Sequence, residues 1–348
     1  MTDVRRSRRN FVVGLTGAAA AYACRKEPHQ SVDAAASARK PHVEGEVPKR
    51  RLGKTGVDVS MIGLGGFHIG SKLSEAESIA LIRRAVDNGV TFLDNCWDYN
   101  NGESETRMGK ALQNGYRKRV FLMTKLDGRT ARSASEQLEQ SLSRLQTDHI
   151  DLVQIHEVIR MSDPDRCFAP GGTIEALVAA KKAGKLRFIG FTGHKDPSIH
   201  LAMLDAAKKN GFSFDTVQMP LNVMDHHYKS FRAQVLPVLV ANDIGVLGMK
   251  SMGSGDILKS GVVSAEECLR YALSQPTSVV ICGTDSQEIL DQNLRIARNF
   301  RPFSEPELSA LLARTAPKAA EGKYEEFKTN DKYDGTGRNP HWLEEARI

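Results

Sequence analysis

Four side chains that can transfer protons follow short apolar segments of this 348-residue chain. Asp94 ends the segment TFLD, Tyr99 follows five residues later, Lys125 ends VFLMTK, and His156 ends IDLVQIH. The 26 residues from Tyr99 to Lys125 and the 31 residues from Lys125 to His156 each suit one strand and one helix. If the strands are consecutive and parallel, their carboxyl ends share one rim. We therefore expect a carboxylate, a phenol, an amine and an imidazole to form a proton-transfer site.

From about residue 50, strand-like and helix-like segments alternate along the chain. Segments rich in Val, Ile, Leu and Phe are typical of strands that are covered on both faces. The eight predicted strands are MIGLG, TFLDN, VFLMTK, IDLVQIH, FIGFTG, TVQMPL, IGVLGMK and SVVICGT. This pattern predicts an α/β fold, a (β/α)8 TIM barrel, with a β-hairpin before it that turns at residues 54–56. A doubly wound sheet is the alternative, but GLGGFHIG after the first strand lacks the spacing GxGxxG.

Local signals support the predicted helices. Ser74 with Glu77, and Ser264 with Glu267, have the spacing of capping boxes that begin helices. Glycines are expected to end helices before the next strand, and we assign this role to three of them. These are Gly89, Gly184 and Gly245.

The chain is predicted to have four parts: a signal segment at 1–23, a linker at 24–47, the barrel at 48–316 and a C-terminal extension at 317–348. Its formal charge of +6 belongs to the amino-terminal part, since residues 1–51 contain 11 Lys/Arg and 5 Asp/Glu, and the remainder contains 37 of each. The predicted barrel thus has no excess of basic residues, which argues against a nucleic-acid partner. The extension could pack beside the barrel mouth as a lid or remain partly mobile.

The segment SRRNFV at residues 7–12 is typical of a twin-arginine export signal. The apolar run at 11–23 is 13 residues long, which suits a signal segment but is too short to span a bilayer. Ala21-Tyr22-Ala23 suits cleavage before Cys24, although Cys24 could instead carry a lipid anchor. We predict a periplasmic or otherwise exported protein that engages the twin-arginine export machinery and has no membrane span. A basic tail is the alternative.

The sequence predicts no metal site. None of the five cysteines forms a CxxC pair, so neither a zinc site nor an iron–sulfur site is indicated. The run Asp225-His226-His227 contains ligand-type side chains, but adjacent histidines point apart in an extended chain. We interpret this run as a loop on the substrate side.

The four strand-end residues have complementary roles in moving a proton to or from a carbonyl oxygen. Tyr99 needs a nearby cation to act as an acid and base near neutral pH, because a free phenol has a pKa of about 10. Lys125 can supply that cation, Asp94 can balance its charge, and His156 can donate a hydrogen bond to the substrate oxygen. No side chain supplies a hydride, so a nicotinamide cofactor is implied. The expected substrate is a small aldehyde, ketone or sugar.

Several segments together resemble the aldo-keto reductase family. The matching segments, between about residues 50 and 300, are FLDNCWDYNNGESETRMGKAL, VFLMTK, IDLVQIH, RFIGFTG, GVLGMKSMGSG and GTDSQEILDQN. The resemblance implies a (β/α)8 barrel that uses NADP(H), with Asp94, Tyr99, Lys125 and His156 as the catalytic tetrad. Tyr99 would then donate the proton in carbonyl reduction and accept it in alcohol oxidation.

The resemblance also implies a set of cofactor contacts. Thr192 and Gln218 would bind the carboxamide, and Met249 would cover the nicotinamide in place of an aromatic ring. The remaining implied contacts are Lys250, Thr284, Ser286, Gln292 and Asn293. NAD remains an alternative to NADP, because Gly283 and Ile289 stand where basic residues typically bind the 2′-phosphate. A nucleotide-binding, redox-sensing or accessory module with vestigial catalysis is the alternative function.

Overall fold

The computed structural model describes residues 45–344. The predicted signal segment, Cys24 and residues 24–44 of the predicted linker lie outside the described residues. In the described part of the chain, no helix is long and apolar enough to cross a membrane.

Eight parallel strands form a closed barrel, as predicted, and each predicted segment supplies one strand. The strands of the protein are β1 (Lys49–Arg51), β2 (Asp58–Ser60), β3 (Ile62–Gly65), β4 (Phe92–Asp94), β5 (Phe121–Leu126), β6 (Ile150–Ile155), β7 (Leu186–Thr192), β8 (Thr216–Pro220), β9 (Gly245–Met249) and β10 (Val279–Gly283). Strands β3 to β10 follow one another around the barrel, and β10 pairs with β3 to close it. Strands β1 and β2 form the predicted antiparallel hairpin.

Helices follow the barrel strands and pack around them. The α-helices are α1 (Glu75–Asp87), α2 (Glu103–Ala111), α3 (Ala131–Leu145), α4 (Asp163–Phe168), α5 (Thr173–Lys182), α6 (Pro197–Lys209), α7 (Phe231–Gln234), α8 (Leu236–Ala241), α9 (Ala265–Ser274), α10 (Gln287–Arg298), α11 (Glu305–Thr315), α12 (Glu326–Thr329) and α13 (Gly335–Arg338). Both predicted capping boxes are present: Ser74 begins α1 and Ser264 begins α9. Each cap satisfies backbone amides that the first helical turn leaves unpaired.

The hairpin packs against the amino-terminal end of the barrel. Leu52 of the hairpin turn is fully buried with side chains from inside the barrel, including Phe92 and Leu247. Gly53 has φ of +48°, and a Cβ atom there would lie 2.4 Å from the amide nitrogen of Gly245. The predicted role of Gly245 as a helix end is wrong, because Gly245 begins β9 and leaves room for the side chain of Leu52.

The C-terminal extension packs across the carboxyl-end rim of the barrel. It contacts the loops after four consecutive strands, β5 to β8. The backbone amide of Arg129 donates to the Leu343 carbonyl (2.7 Å), and the Thr336 hydroxyl donates to Glu157 (2.7 Å). His194 Nε2 lies 3.0 Å from Asp334 Oδ1, and Asn222 donates to Glu325 (2.9 Å). Of the two arrangements that the sequence left open, the structure shows the extension packed at the barrel mouth.

Candidate active site

Lys125 joins two of the other predicted catalytic residues at the end of β4. Its Nζ atom donates hydrogen bonds to the carboxylate of Asp94, to the Asn95 carbonyl (2.8 Å) and to the Tyr99 hydroxyl (3.2 Å). Lys125 and Asp94 are almost completely buried, whereas Tyr99 is half-buried at the mouth. The structure therefore brings the amine, the carboxylate and the phenol together, as their strand-end positions predict.

The phenol of Tyr99 differs electrostatically from the sequence expectation. Burial and the nearby carboxylate of Asp94 raise its pKa well above the usual value, although Lys125 is adjacent. The ammonium of Lys125 forms an ion pair with Asp94, and this offsets its effect on the phenol. Tyr99 consequently retains its proton near neutral pH, which suits a proton donor better than a base.

His156 lies next to Tyr99, with the two ring centroids 5.9 Å apart in an edge-to-face arrangement. Its Nδ1 atom is 2.9 Å from Asp127 Oδ1, 3.3 Å from Cys96 Sγ and 3.6 Å from Asp98 Oδ1. The sequence interpretation missed Asp98 and Asp127. Both follow barrel strands at the rim that carries the tetrad, and that position was the available signal.

His156, Asp98 and Asp127 influence one another's protonation because they lie close together in a buried place. Burial opposes the imidazolium, but the carboxylates of Asp98 and Asp127 outweigh it, and the pKa of His156 is raised. Burial and the charge of Asp127 raise the pKa of Asp98 to about 7. Donor atoms of Cys96, Asp98, Asp127 and His156 all lie within 4.8 Å of one another, which is close enough to surround a cation. Two of these atoms, Asp127 Oδ1 and His156 Nδ1, are already joined by a hydrogen bond, so their proximity needs no metal.

Three predicted cofactor residues lie on three neighbouring strands, and one of them contacts the tetrad. Gln218 on β8 is buried, and its Nε2 atom donates to Asp94 Oδ2 (3.3 Å). Its Oε1 atom is buried without a hydrogen-bond partner in the described structure. Thr192 ends β7, and its hydroxyl is 3.9 Å from the sulfur of Met249, which ends β9. An unpaired amide oxygen suits the amino group of a carboxamide.

Lys250 follows β9 and has a left-handed backbone with φ of +54°. Its Nζ atom lies 5.2 Å from the Phe327 ring centroid and 4.9 Å from that of Tyr333, both in the extension. Within residues 45–344 it has no hydrogen bond or ion pair shorter than 4 Å, and burial lowers its pKa to about 8. A partly buried cation held in this way suits an anionic ligand group.

The last predicted cofactor residues surround the start of α10. Ser286 begins this 12-residue helix, and its hydroxyl accepts a hydrogen bond from the Ile289 amide (3.3 Å). Thr284 is buried just before the helix, while Asn293 is buried and Gln292 half-buried within it. The amino end of a helix favours phosphate groups, so this set suits the phosphates of a dinucleotide.

The run Asp225-His226-His227 has a structural role. The carboxylate of Asp225 accepts hydrogen bonds from the amides of Phe231 and Arg232 (3.0 Å each) at the start of α7. His227 Nε2 is 2.9 Å from the hydroxyl of Thr315. The run therefore positions the loop after β8.

Comparison with known proteins identifies the family. The model of the Aldo/keto reductase family matches residues 61–266. L-galactose dehydrogenase from Arabidopsis thaliana is 30% identical over 231 residues, which are 62% of this chain and 69% of that protein. Aldo-keto reductase YhdN from Bacillus subtilis is 32% identical over 219 residues, which are 59% of this chain and 62% of that protein.

The chain matches only part of the length of several relatives, whereas a solved structure matches most of the barrel. The chain spans about two thirds of the length of several curated relatives, including 66% of aldo-keto reductase AFTS1 from Alternaria alternata. Aldo-keto reductase AKR11C1 from Bacillus halodurans, in its holo form, has a TM-score of 0.63 at 21% identity. That similarity covers 79% of this chain and 96% of the other. The chain belongs to the aldo/keto reductase family.

Proposed function

We propose that this protein is an NAD(P)-dependent oxidoreductase that interconverts a carbonyl and an alcohol in a small molecule. The observation that carries the proposal is the hydrogen bond from Lys125 to the Tyr99 hydroxyl (3.2 Å), with Asp94 and His156 beside it. In this arrangement a phenol and an imidazole would both contact one substrate oxygen. A bound nicotinamide cofactor supplies or accepts the hydride.

Tyr99 is the proposed proton donor to the carbonyl oxygen. Its raised pKa leaves the phenol protonated, and an alkoxide is a much stronger base than a phenolate, so transfer to the reduced substrate is favourable. Lys125 and Asp94 fix the position of the hydroxyl. In the reverse direction the same hydroxyl oxygen would accept the proton of the alcohol.

The proposed cofactor is NADP(H), with NAD(H) as the alternative. The unpaired Oε1 atom of Gln218 would accept from the carboxamide, and Thr192 and Met249 lie beside it. Lys250 would bind a phosphate group as an unpaired cation. Near the start of α10, exposed Lys72 is paired with Asp285 (2.7 Å) and would have to leave that carboxylate to bind a phosphate.

The substrate site is proposed to be bounded by the extension. Tyr333, Thr336 and Trp342 lie in the segment that covers the loops after β5 to β8, so a small substrate would be enclosed and partly screened from water. Because one relative is named L-galactose dehydrogenase, aldoses belong in the first substrate panel, together with aromatic and aliphatic aldehydes.

The proposal is tested by replacing the proposed proton donor. Tyr99→Phe is expected to lower turnover with NADPH or NADH by about 100-fold or more, in line with the loss of a general acid. Nucleotide binding, measured by fluorescence quenching, should be unchanged. Tyr116→Phe is the matched control, since the Tyr116 hydroxyl donates to exposed Asp87, outside the candidate site.

The alternative is a nucleotide-binding, redox-sensing or accessory module. Tight nucleotide binding with no turnover of any carbonyl, alcohol or sugar in the panel would favour it. Turnover that survives Tyr99→Phe unchanged would remove Tyr99 from the mechanism.

A further inference from the structure

The imidazole of His156 faces two buried carboxylates that come from different loops. Asp98 lies in the loop after β4 and Asp127 in the loop after β5. Among residues 45–344, His156 is the only basic side chain within 4 Å of either carboxylate. Asp98 Oδ1 and Asp127 Oδ2 are buried and lack hydrogen-bond partners in the same range. His156 is therefore the basic side chain placed to balance the negative charge that these two acidic groups share.

The contact between His156 and Asp127 restricts where the imidazole carries its protons. A carboxylate can only accept a hydrogen bond, so Nδ1 must carry the hydrogen that joins it to Asp127 (2.9 Å). If the ring were neutral, Nε2 would then be a bare acceptor and could not donate to a carbonyl oxygen. Nε2 can donate only when the ring is an imidazolium.

We propose that Asp127 and Asp98 are positioning residues that hold His156 as an imidazolium, with its Nε2–H directed to the substrate oxygen. This rests on the proposed function, in which Tyr99 gives the proton to that oxygen. As negative charge develops on the oxygen during reduction, an imidazolium stabilises it more than a neutral ring does.

The surroundings of His156 are consistent with a positive ring. The charged or titratable groups that face it come from three loops and one strand. They are Cys96, Asp98 and Tyr99 after β4, Lys125 on β5, Asp127 and Arg129 after β5, and Glu157 after β6. Arg129 donates to the backbone carbonyl of His156 (2.6 Å), and Lys125 is paired with Asp94. Burial alone would lower the pKa of His156, but the nearby carboxylates raise it overall.

Nuclear magnetic resonance of the histidine side-chain nitrogens in the full-length protein tests the proposal without any substrate. The signals of His156 are identified by their loss in His156→Gln. At pH 7 both ring nitrogens of His156 should be protonated, and its titration midpoint should lie above 6.5. Asp127→Asn keeps an acceptor oxygen but removes the charge. The midpoint should then fall by at least one pH unit, a tenfold change in the acid dissociation constant.

Two further variants make this result specific. Asp98→Asn changes the less buried of the two carboxylates and should also lower the titration midpoint of His156. If Asp127→Asn does not fold, this variant replaces it in the experiment. Asp151→Asn is the control. This buried carboxylate lies at the other end of β6 and pairs with Arg117 and Arg187, so the midpoint of His156 should not move.

Three results would overturn the proposal. One is a neutral His156 at pH 7, whichever ring nitrogen carries the hydrogen. Another is an unchanged midpoint in both Asp127→Asn and Asp98→Asn. The third is a change of the His156 signals on adding a chelator that zinc reverses, since the side chains would then be metal ligands. All three are measured without turnover, so a failure of the imidazolium assignment can be distinguished from a failure of the proposed function.

Once a substrate is known, the pH profile gives a second measurement. Reduction needs the imidazolium, so kcat should decline as pH rises through the titration midpoint of His156. In Asp127→Asn the same decline should occur at least one pH unit lower. Asp127→Glu, which restores the charge, should move the decline back toward its original pH.

Discussion

Glu157 accepts two hydrogen bonds from Thr336, one from its backbone amide and one from its hydroxyl, each 2.7 Å long. A third comes from the amide of Gly335 (2.8 Å). Glu157 directly follows His156 and has a left-handed backbone with φ of +45°, an arrangement that is uncommon outside glycine and typical of functional sites. The extension is therefore bound to the residue next to the predicted catalytic histidine.

Thr336→Val should loosen the extension while keeping the shape of the side chain. The variant loses a hydrogen bond to a charged group, which contributes about 1.5–3 kcal/mol. We expect faster amide hydrogen exchange across residues 317–344 and a higher KM for substrate, with nucleotide affinity unchanged. Thr329→Val, at an exposed position of the same extension, is the control. Equal exchange rates in the two variants would show that the hydrogen bond from Thr336 to Glu157 does not hold the extension in place.

Gly53→Ala should destabilise the protein more than Gly56→Ala. Both glycines lie in the hairpin turn with positive φ, +48° and +77°, so both variants incur backbone strain of about 1 kcal/mol. Only at Gly53 would the new Cβ atom clash with the start of β9, because nothing lies within 4 Å of a Cβ at Gly56. Urea denaturation measures the difference in the free energy of unfolding. Similar losses would show that the hairpin can move away from the barrel.

Glu325 should make the protein less stable as pH rises from 5 to 8. Glu325 and Asp225 share one ammonium, that of Lys328, and all three side chains are fully buried. Burial, opposed by Lys328, raises the pKa of Glu325 to about 7. Between the unfolded and the folded pKa of Glu325, the folded protein binds more protons than the unfolded chain does. The contribution of Glu325 to stability therefore falls as pH rises in that window and is constant above it.

The test compares melting temperatures at pH 5 and pH 8. Glu325→Gln should reduce the difference between them, because the amide does not titrate. Glu321→Gln, at an exposed site of the same extension, should leave the difference unchanged. If the difference in melting temperature persists in Glu325→Gln, other groups cause it.

Export by the twin-arginine route remains a prediction from residues outside those that the structure describes. Replacing Arg8 and Arg9 by lysine should leave the protein in the cytoplasmic fraction of a bacterium that has this route, as shown by cell fractionation. The control replaces Arg5 and Arg6, which precede the motif. Cys24→Ala separates the two processing alternatives, since it would abolish membrane association only if Cys24 carries lipid.

The fold, and the proximity of Asp94, Tyr99, Lys125 and His156, could be predicted because both depend on local patterns. Apolar runs gave the strands, and parallel strands bring their carboxyl ends to one rim. Asp127 was missed because its role depends on a hydrogen bond with His156, 29 positions later in the chain. The orientation of the His156 ring cannot be deduced from the periodicity of the sequence. The role of Gly245 was wrong for the same reason, since it is set by contact with Leu52 rather than by the preceding helix.

The contacts of the extension set the order in which the mouth of the barrel can form. Gln137 donates to the Trp342 carbonyl across 205 positions of the chain, and Glu157 meets Thr336 across 179. During synthesis, the barrel strands leave the ribosome well before residues 334–343 do. Contacts of such long sequence separation form late in folding. A nascent chain could therefore hold a closed barrel before Trp342 completes the core and before the site for substrate is enclosed.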